Sequence, residues 1–288
     1  MNKLIMMALM VCFTNVSFSQ IDSIKNLTYS KIYLGELFVG YKNCYFVLDS
    51  QDLTSNRYTF YLDFKSASIG RYPVAYPSQE YNFVTVTDSI SGRCFKVSNI
   101  LDEKSNEITV AQYGQKPIFK LVDIETSEII YYKYDPEFST KFLFLTTKPN
   151  IDKDILIKNI DKSYDEIENE TTYHTPYNLD ASITRISKNN ANTYYLSLEY
   201  KSNNVNYGLK GVTVLFTDGT KWQRPNDKVD VDYRNGNFVY NCFIPLTKED
   251  LKIFQTKIIK KYKLYIYEVN FTEGFIFNNY AKQIDKIK

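Results

Sequence analysis

The amino-acid sequence predicts a mainly β protein: two antiparallel β-sandwich or barrel-like domains joined by a helical linker, the second carrying short flanking helices. Three observations carry this expectation. Short apolar runs alternate with polar residues and recur at roughly ten-residue spacing between turn signals, the pattern of sandwiches and barrels. Tyr and Phe are abundant, 26 and 19 residues of 288, and aromatic side chains suit a pleated, half-buried surface better than a helix. The length, with 44% hydrophobic residues, is enough to fill two cores.

In chain order the first element is a leader over residues 1–19. Lys3 supplies a positive start, Leu4 to Phe13 an apolar run, and Ser17-Phe18-Ser19 a small-x-small cleavage signal before Gln20. The run is about half of the ~20 residues that span a bilayer, which favours a cleaved signal peptide over an anchor. Cys12 does not suit lipid attachment, because the bulky Val11 precedes it.

Residues 20–148 are expected to form the N-terminal antiparallel β domain. Its strand candidates are Ile32–Val39, Cys44–Leu48, Tyr58–Phe64, Tyr81–Val86, Cys94–Ile100, Ile108–Tyr113, Ile118–Asp123, Ile129–Tyr134 and Phe142–Thr146. The clearest alternation places Tyr58, Phe60, Leu62 and Phe64 on one face, with Arg57, Thr59, Tyr61, Asp63 and Lys65 on the other.

Pro149 closes that domain, and residues 149–178 are expected to be a helical segment and linker. Ile151, Ile155, Leu156, Ile160, Tyr164 and Ile167 approximate a helical stripe. Asp152 and Asp154 favour its start, whereas Asp165, Glu166 and Glu168 oppose the dipole at its end. The polar stretch from Asn169 to Asn178, which contains His174 and Pro176, reads as a solvated connector.

Residues 179–288 are expected to be a C-terminal β-rich domain with a terminal helix. Asn235-Gly236 supplies two residues that tolerate positive φ in a tight hairpin, pairing Tyr233 with Phe238, Val231 with Tyr240 and Val229 with Cys242. Cys242 should then be a buried, inert thiol. Asp218-Gly219 is read as a two-residue turn joining Val212–Thr217 to Thr220–Gln223, with Leu215 across from Trp222 as a core residue or the floor of a shallow site. Thr247 and Asp250 form a variant capping box for a helix over Lys248–Gln255. A long strand is expected from Tyr262 to Val269, preceded by the solvating lysines Lys257, Lys260, Lys261 and Lys263, and a helix from Ile276 to Ile287.

Composition restricts the chemistry. Formal net charge is +2, and loss of Lys3 with the leader leaves +1, which suggests no nucleic-acid partner. The single histidine, His174, falls in the expected connector, a poor place for the preorganised imidazole that a Ser-His-Asp or Cys-His centre needs. Without Cys12 three cysteines remain, and alternation sends Cys44 and Cys94 to opposite faces, against a bridge. Asp227, Asp230, Asp232, Asn235 and Asn237 are close in sequence, but a calcium loop would need ligands where Val231 and Tyr233 stand. The three Asn-x-Ser/Thr sites, at Asn26, Asn169 and Asn270, carry no weight if the leader is a bacterial one. With 10 glycines, no phosphate-cradling loop is present.

The leader and the Lys-, Asn-, Ile- and Tyr-rich texture are similar to those of exported proteins from Gram-negative bacteria, a resemblance that carries no site residues. The expectation is therefore an exported, non-catalytic envelope protein, in the periplasm, at the surface or outside. It would bind or organise a glycan or another envelope protein, with no cofactor, no metal and no transmembrane segment after cleavage. No residue is nominated as catalytic, cofactor-binding or metal-ligating. The alternative is a carboxylate-dependent, glycosidase-like hydrolase, which needs only two suitably spaced acids.

Overall fold

The computed structural model describes residues 21–48, 59–69, 83–85, 90, 92–137, 142, 144–176, 179–206 and 208–287. The leader and the leading part of the Tyr58–Phe64 strand candidate lie outside them. The chain is mainly β and divides into two compact units, residues 1–150 and 151–288, each built on one open antiparallel sheet. Among the described residues no helix is long and apolar enough to cross a membrane.

The first unit begins with a helical turn, α1 (21–25), and a 3-10 segment, Gly35–Tyr41, kinked at Leu37. Its sheet contains β1 (Tyr45–Leu48), β2 (Thr59–Tyr61), β3 (Phe83–Thr85), β4 (Cys94–Leu101), β5 (Ile118–Asp123), β6 (Ile129–Lys133) and β7 (Phe144–Thr146), with helix α2 (Phe64–Ile69) between β2 and β3. The strand order is β3-β2-β6-β5-β4-β1-β7. Inward-facing rings form the core: Tyr41 stacks on Phe142 at 5.2 Å and Phe119 on Tyr134 at 5.0 Å, with Phe46, Phe60 and Phe144 packed around them. Their hydroxyls are satisfied locally, since Tyr41 Oη donates to the Ile32 carbonyl and Tyr134 Oη to that of Gly35.

Three expected strands of this unit differ. Ile32–Val39 is mostly the 3-10 segment, because the Tyr41 hydroxyl bonds back to Ile32 and Leu34 and curls the chain. Strand β2 ends at Tyr61, where Asp63 accepts from the Ser66 amide and hydroxyl and starts α2; Leu62, expected in the core, is 43% exposed. The stretch Ile108–Tyr113 is an irregular loop with Tyr113 93% exposed, fastened by the bridge between Leu101 and Glu107.

The second unit opens with α3 (Lys153–Lys158), capped by Asp152, and continues with β8 (Asp161–Asp165), β9 (Glu170–His174), β10 (Ala181–Lys188), β11 (Ala191–Ser202), β12 (Leu209–Phe216), β13 (Lys221–Arg234) and β14 (Asn237–Leu246). Helix α4 (Lys248–Thr256), the hairpin β15 (Ile259–Leu264) and β16 (Tyr267–Asn270), and helix α5 (Gly274–Ile284) complete it. The order is β16-β15-β12-β13-β14-β11-β10-β9-β8. β13 pairs with β12 up to Val229 and with β14 from Asp230 on. Pro225, which has no N–H to give a ladder, stands in the register shift between the Lys210–Lys228 and Val212–Arg224 pairs, four residues before Val229. The sheet thereby doubles over itself. Tyr262 of β15 donates to the Glu199 carbonyl of β11, and Tyr267 of β16 stacks on Tyr200 of β11 at 4.8 Å.

Here too the expectations need correction. The helical stripe ends at Lys158, and residues 161–174, assigned to the linker region 149–178, are two strands of the nine-stranded sheet. Asp165 accepts from the amides of Ile167 and Glu168, and Asn169 takes a φ of 51°, so the acids that oppose a helix end make a turn instead. The Asp218-Gly219 turn is a three-residue loop: the Gly219 amide bonds the Phe216 carbonyl, and Gly219 has a φ of 83°. That shifts the register by one, so Trp222 faces Val214 and Leu215 faces Lys221. Tyr262–Val269 is a hairpin turning at Tyr265, whose φ is 56°; the lysine-rich β15 is consequently an inner strand, covered at its edge by β16.

The Asn235-Gly236 hairpin pairs Tyr233 with Phe238 and Val231 with Tyr240 as expected. Val229, the next expected partner, pairs instead with Leu209 of β12, while Cys242 is buried as anticipated. The capping box is also present, with Thr247 Oγ1 accepting from the Asp250 amide and Asp250 from that of Thr247. Helix α5 starts at Gly274, a position that needs glycine because a Cβ there would lie 2.0 Å from the Ile259 carbonyl oxygen.

Candidate functional site

Parity along the strands of the second unit separates two faces. On the inner face Arg185 lies over the Tyr173 ring at 4.0 Å and donates to the carbonyls of Ile284 and Ile287 at the end of α5, where Tyr194 also bonds Asp285. Leu196, Leu198, Tyr240 and Cys242 are buried on the same side. The outer face carries the alternate residues.

Ladder pairing aligns Asp161, His174, Thr184, Tyr195 and Pro245 in one row across β8, β9, β10, β11 and β14. The next row holds Ser182, Ser197 and Phe243. Tyr195 and Phe243, diagonal neighbours on β11 and β14, stack in parallel, centroids 4.4 Å apart at an interplanar angle of 9°. Phe243 is nevertheless 54% exposed, in the middle of a strand. An apolar ring held in the open by a second ring is a ready-made platform.

Polar groups surround the platform. Ser197 lies directly across from Phe243, and Glu199 pairs with Asn241 one step farther along the same face. Asn241 Nδ2 donates to Asp232 at 3.2 Å, Arg234 to Asp232 at 2.5 Å, and Arg234 and Lys201 both approach Glu199, at 3.9 and 3.7 Å. Lys228 pairs with Asp230. Each carboxylate of this cluster thus has a basic partner, leaving a surface rich in hydrogen-bonding groups and locally balanced in charge.

The row containing His174 tests the expectation that this residue is a solvated connector. It is a strand residue, 9% exposed, and Nε2 lies 3.2 Å from Ser182 Oγ. Burial holds the imidazole below its ordinary value, against the opposing effects of a backbone hydrogen bond and the nearby Asp161. Ser182, His174 and Asp161 follow one another across three strands, yet Ser182 is itself buried and belongs to the β10–β11 ladder, and the Ile183 amide goes to Thr175 Oγ1. The adjacent backbone donors that an oxyanion would require are committed.

Trp222 resolves to core. Its indole N–H donates to Asp250 Oδ1 at 2.7 Å, while Arg224 covers its ring at 4.7 Å and bonds Asp250 Oδ2 at 2.5 Å. Burial pushes the Asp250 carboxyl up, but the donors Trp222 and Thr247 and the Arg224 charge more than offset it, holding the group below its usual range. The three cysteines among the described residues, Cys44, Cys94 and Cys242, are free and buried; burial pushes Cys44 up to about 11 and Cys242 up to about 12. Among the described residues no three His, Cys, Asp or Glu side chains cluster in a way that could hold a metal.

Among the described residues two carboxyls are raised, each mainly by burial: Glu36, near Asp135 and Glu137, and Asp180, near Glu199. Glu36 belongs to the first unit, whereas Asp180 adjoins the polar border of the platform: its carbonyl accepts from the Glu199 amide, and Lys201 and Glu199 act on its carboxyl in opposite directions.

The sequence did hold a signal for the platform. The register that sends Cys242 inward sends Phe243 outward by the same parity, beside Asn241 and opposite Ser197. Tyr195 carries no such mark, because its partner and face are set by the hairpin that joins β10 and β11 through Asn189 and Asn190, at φ of 51° and 62°. Comparison of the chain with protein-family models, curated proteins and solved structures returned no match.

Proposed function

We propose that this chain is an exported, non-catalytic binding module whose ligand is a glycan, held on the outer face of the nine-stranded sheet. The stacked Tyr195–Phe243 pair carries the reading: an exposed ring face amid hydroxyl, amide and charge-compensated groups suits the C–H face and hydroxyls of an uncharged sugar. A protein ligand would use a larger apolar patch or a free sheet edge. The edge strands of this sheet, β8 and β16, are short and carry charges. Export rests on the leader of Lys3, the Leu4–Phe13 run and Ser17-Phe18-Ser19.

The test is a glycan array followed by titration of the best binder into the wild type and Phe243→Ala. The reading expects an oligosaccharide to bind and the substitution to weaken it about tenfold with the melting temperature nearly unchanged. Absence of any glycan binding, or equal affinity of the two proteins, would overturn it.

A further inference from the structure

The first unit has a concavity that is chemically different from the aromatic platform and independent of it. It is a groove of about 370 Å³ on the outer face of the seven-stranded sheet, within the size range of small-molecule sites. Its floor is one rung of the ladder, with Tyr45, Lys96 and Val122 side by side on β1, β4 and β5, and Ser98 follows Lys96 on the same face. Ile21 and Ile24 of α1 form a wall, and Ile124 and Ser127 close one end.

The wall is held in place. Lys25 makes an ion pair with Glu125, Tyr29 Oη donates to the Ile24 carbonyl and lies 3.3 Å from Cys94 Sγ, and Ser30 bridges to Thr146. The groove is thus a formed feature between anchored elements.

Its charge is unbalanced. Asp123, the carboxylate in the lining, is consumed by Arg93 at 2.6 Å and by the amides of Glu125 and Thr126 at 2.8 and 2.7 Å. Burial pushes its carboxyl up, but these donors outweigh that and keep it ionised. Among the described residues Lys96 makes no ion pair. Ser98 donates its hydroxyl to the Lys120 carbonyl, which leaves its oxygen free to accept only. A lone ammonium set among Ile21, Ile24, Val122 and Ile124 is complementary to a ligand with one anionic head and one aliphatic chain.

We propose that this groove binds a carboxylate amphiphile of the fatty-acid type, the chain against Ile21, Ile24, Val122 and Ile124 and the carboxylate on Lys96. The site belongs to the first unit alone and stands or falls apart from glycan binding on the second.

Binding of decanoate, decanol and acetate to the purified protein, followed by calorimetry and by chemical-shift changes, tests it. Decanoate is expected to bind about tenfold or more tightly than decanol, with acetate undetectable at the same concentration. Lys96→Met keeps the aliphatic stem and should bring decanoate down to the affinity of decanol without changing decanol binding; Ile24→Trp, which fills the groove, should weaken both. Decanoate binding no tighter than decanol in the wild type overturns the proposal without recourse to any variant. So does full decanoate affinity in either folded variant, or the absence of decanoate binding.

Discussion

Burial of the single imidazole has a thermodynamic consequence that can be read in solution. His174 titrates lower in the folded protein than its ordinary 6.5, mainly because the charged form loses water in β9. The unfolded chain therefore takes up the proton first as pH falls, and stability present above about 6.5 declines below it. No other histidine contributes to that window. Chemical denaturation between pH 7.5 and 5 should show stability falling in the wild type, with a flatter profile for His174→Gln above the range where carboxylates titrate. An unchanged slope in the variant would show that His174 is not desolvated in the native state. The sequence neighbourhood Thr172-Tyr173-His174-Thr175-Pro176 looked like a connector because its polar residues have no apolar alternation. It is a strand because Tyr173 fills the inner face against Arg185 while hydroxyls and the imidazole fill the outer one.

At the scale of elements, local chemistry settled the ends and long-range pairing settled the registers. The capping box of α4 is visible in Thr247-Lys248-Glu249-Asp250, since the bonds that make it lie within one turn. What the sequence does not announce is that Asp250 also receives Trp222 and Arg224 from β13. Asp250→Ala removes the cap and leaves an indole N–H and a guanidinium without their acceptor, so equilibrium unfolding should show a loss of about 2–4 kcal/mol. A loss near that of a cap alone, about 1 kcal/mol, would mean that the Trp222 and Arg224 bonds contribute little. The one-residue offset of the β12–β13 register from that of a two-residue turn has a related origin. Asp-Gly suits a two-residue turn, but Asp218 accepts from the Thr220 amide and hydroxyl, which draws Thr217 into the loop. That loop sends Trp222 to the buried side with Val214, where a large indole gains most from burial.

At the scale of the whole molecule, many of the described tyrosines build the two interiors. Tyr41, Tyr134, Tyr240 and Tyr262 are fully buried with their hydroxyls returned to nearby backbone, while Tyr195 is among those left toward a surface. The proposed ligands follow from that remainder and from the groove beside α1. The export part of the proposal is tested separately from both sites, through the cleavage expected before Gln20. N-terminal sequencing and intact mass of the protein produced in a Gram-negative host should show a chain starting at Gln20 outside the cytoplasm. Retention of Met1 in a cytoplasmic fraction would refute export.

The sequence by itself determined the β class, the near division at Pro149, the Asn235-Gly236 hairpin, the inward Cys242 and the cap of α4. Each depends on periodicity or on contacts between residues a few positions apart, which a one-dimensional pattern retains. The tertiary structure alone decided that residues 161–174 are strands, that Trp222 is core, that Tyr195 meets Phe243 and that Lys96, in a largely apolar groove, has no ion pair among the described residues. Those outcomes depend on which strand lies beside which. Burial and charge pairing between segments far apart in sequence decide that, and no local signal encodes it.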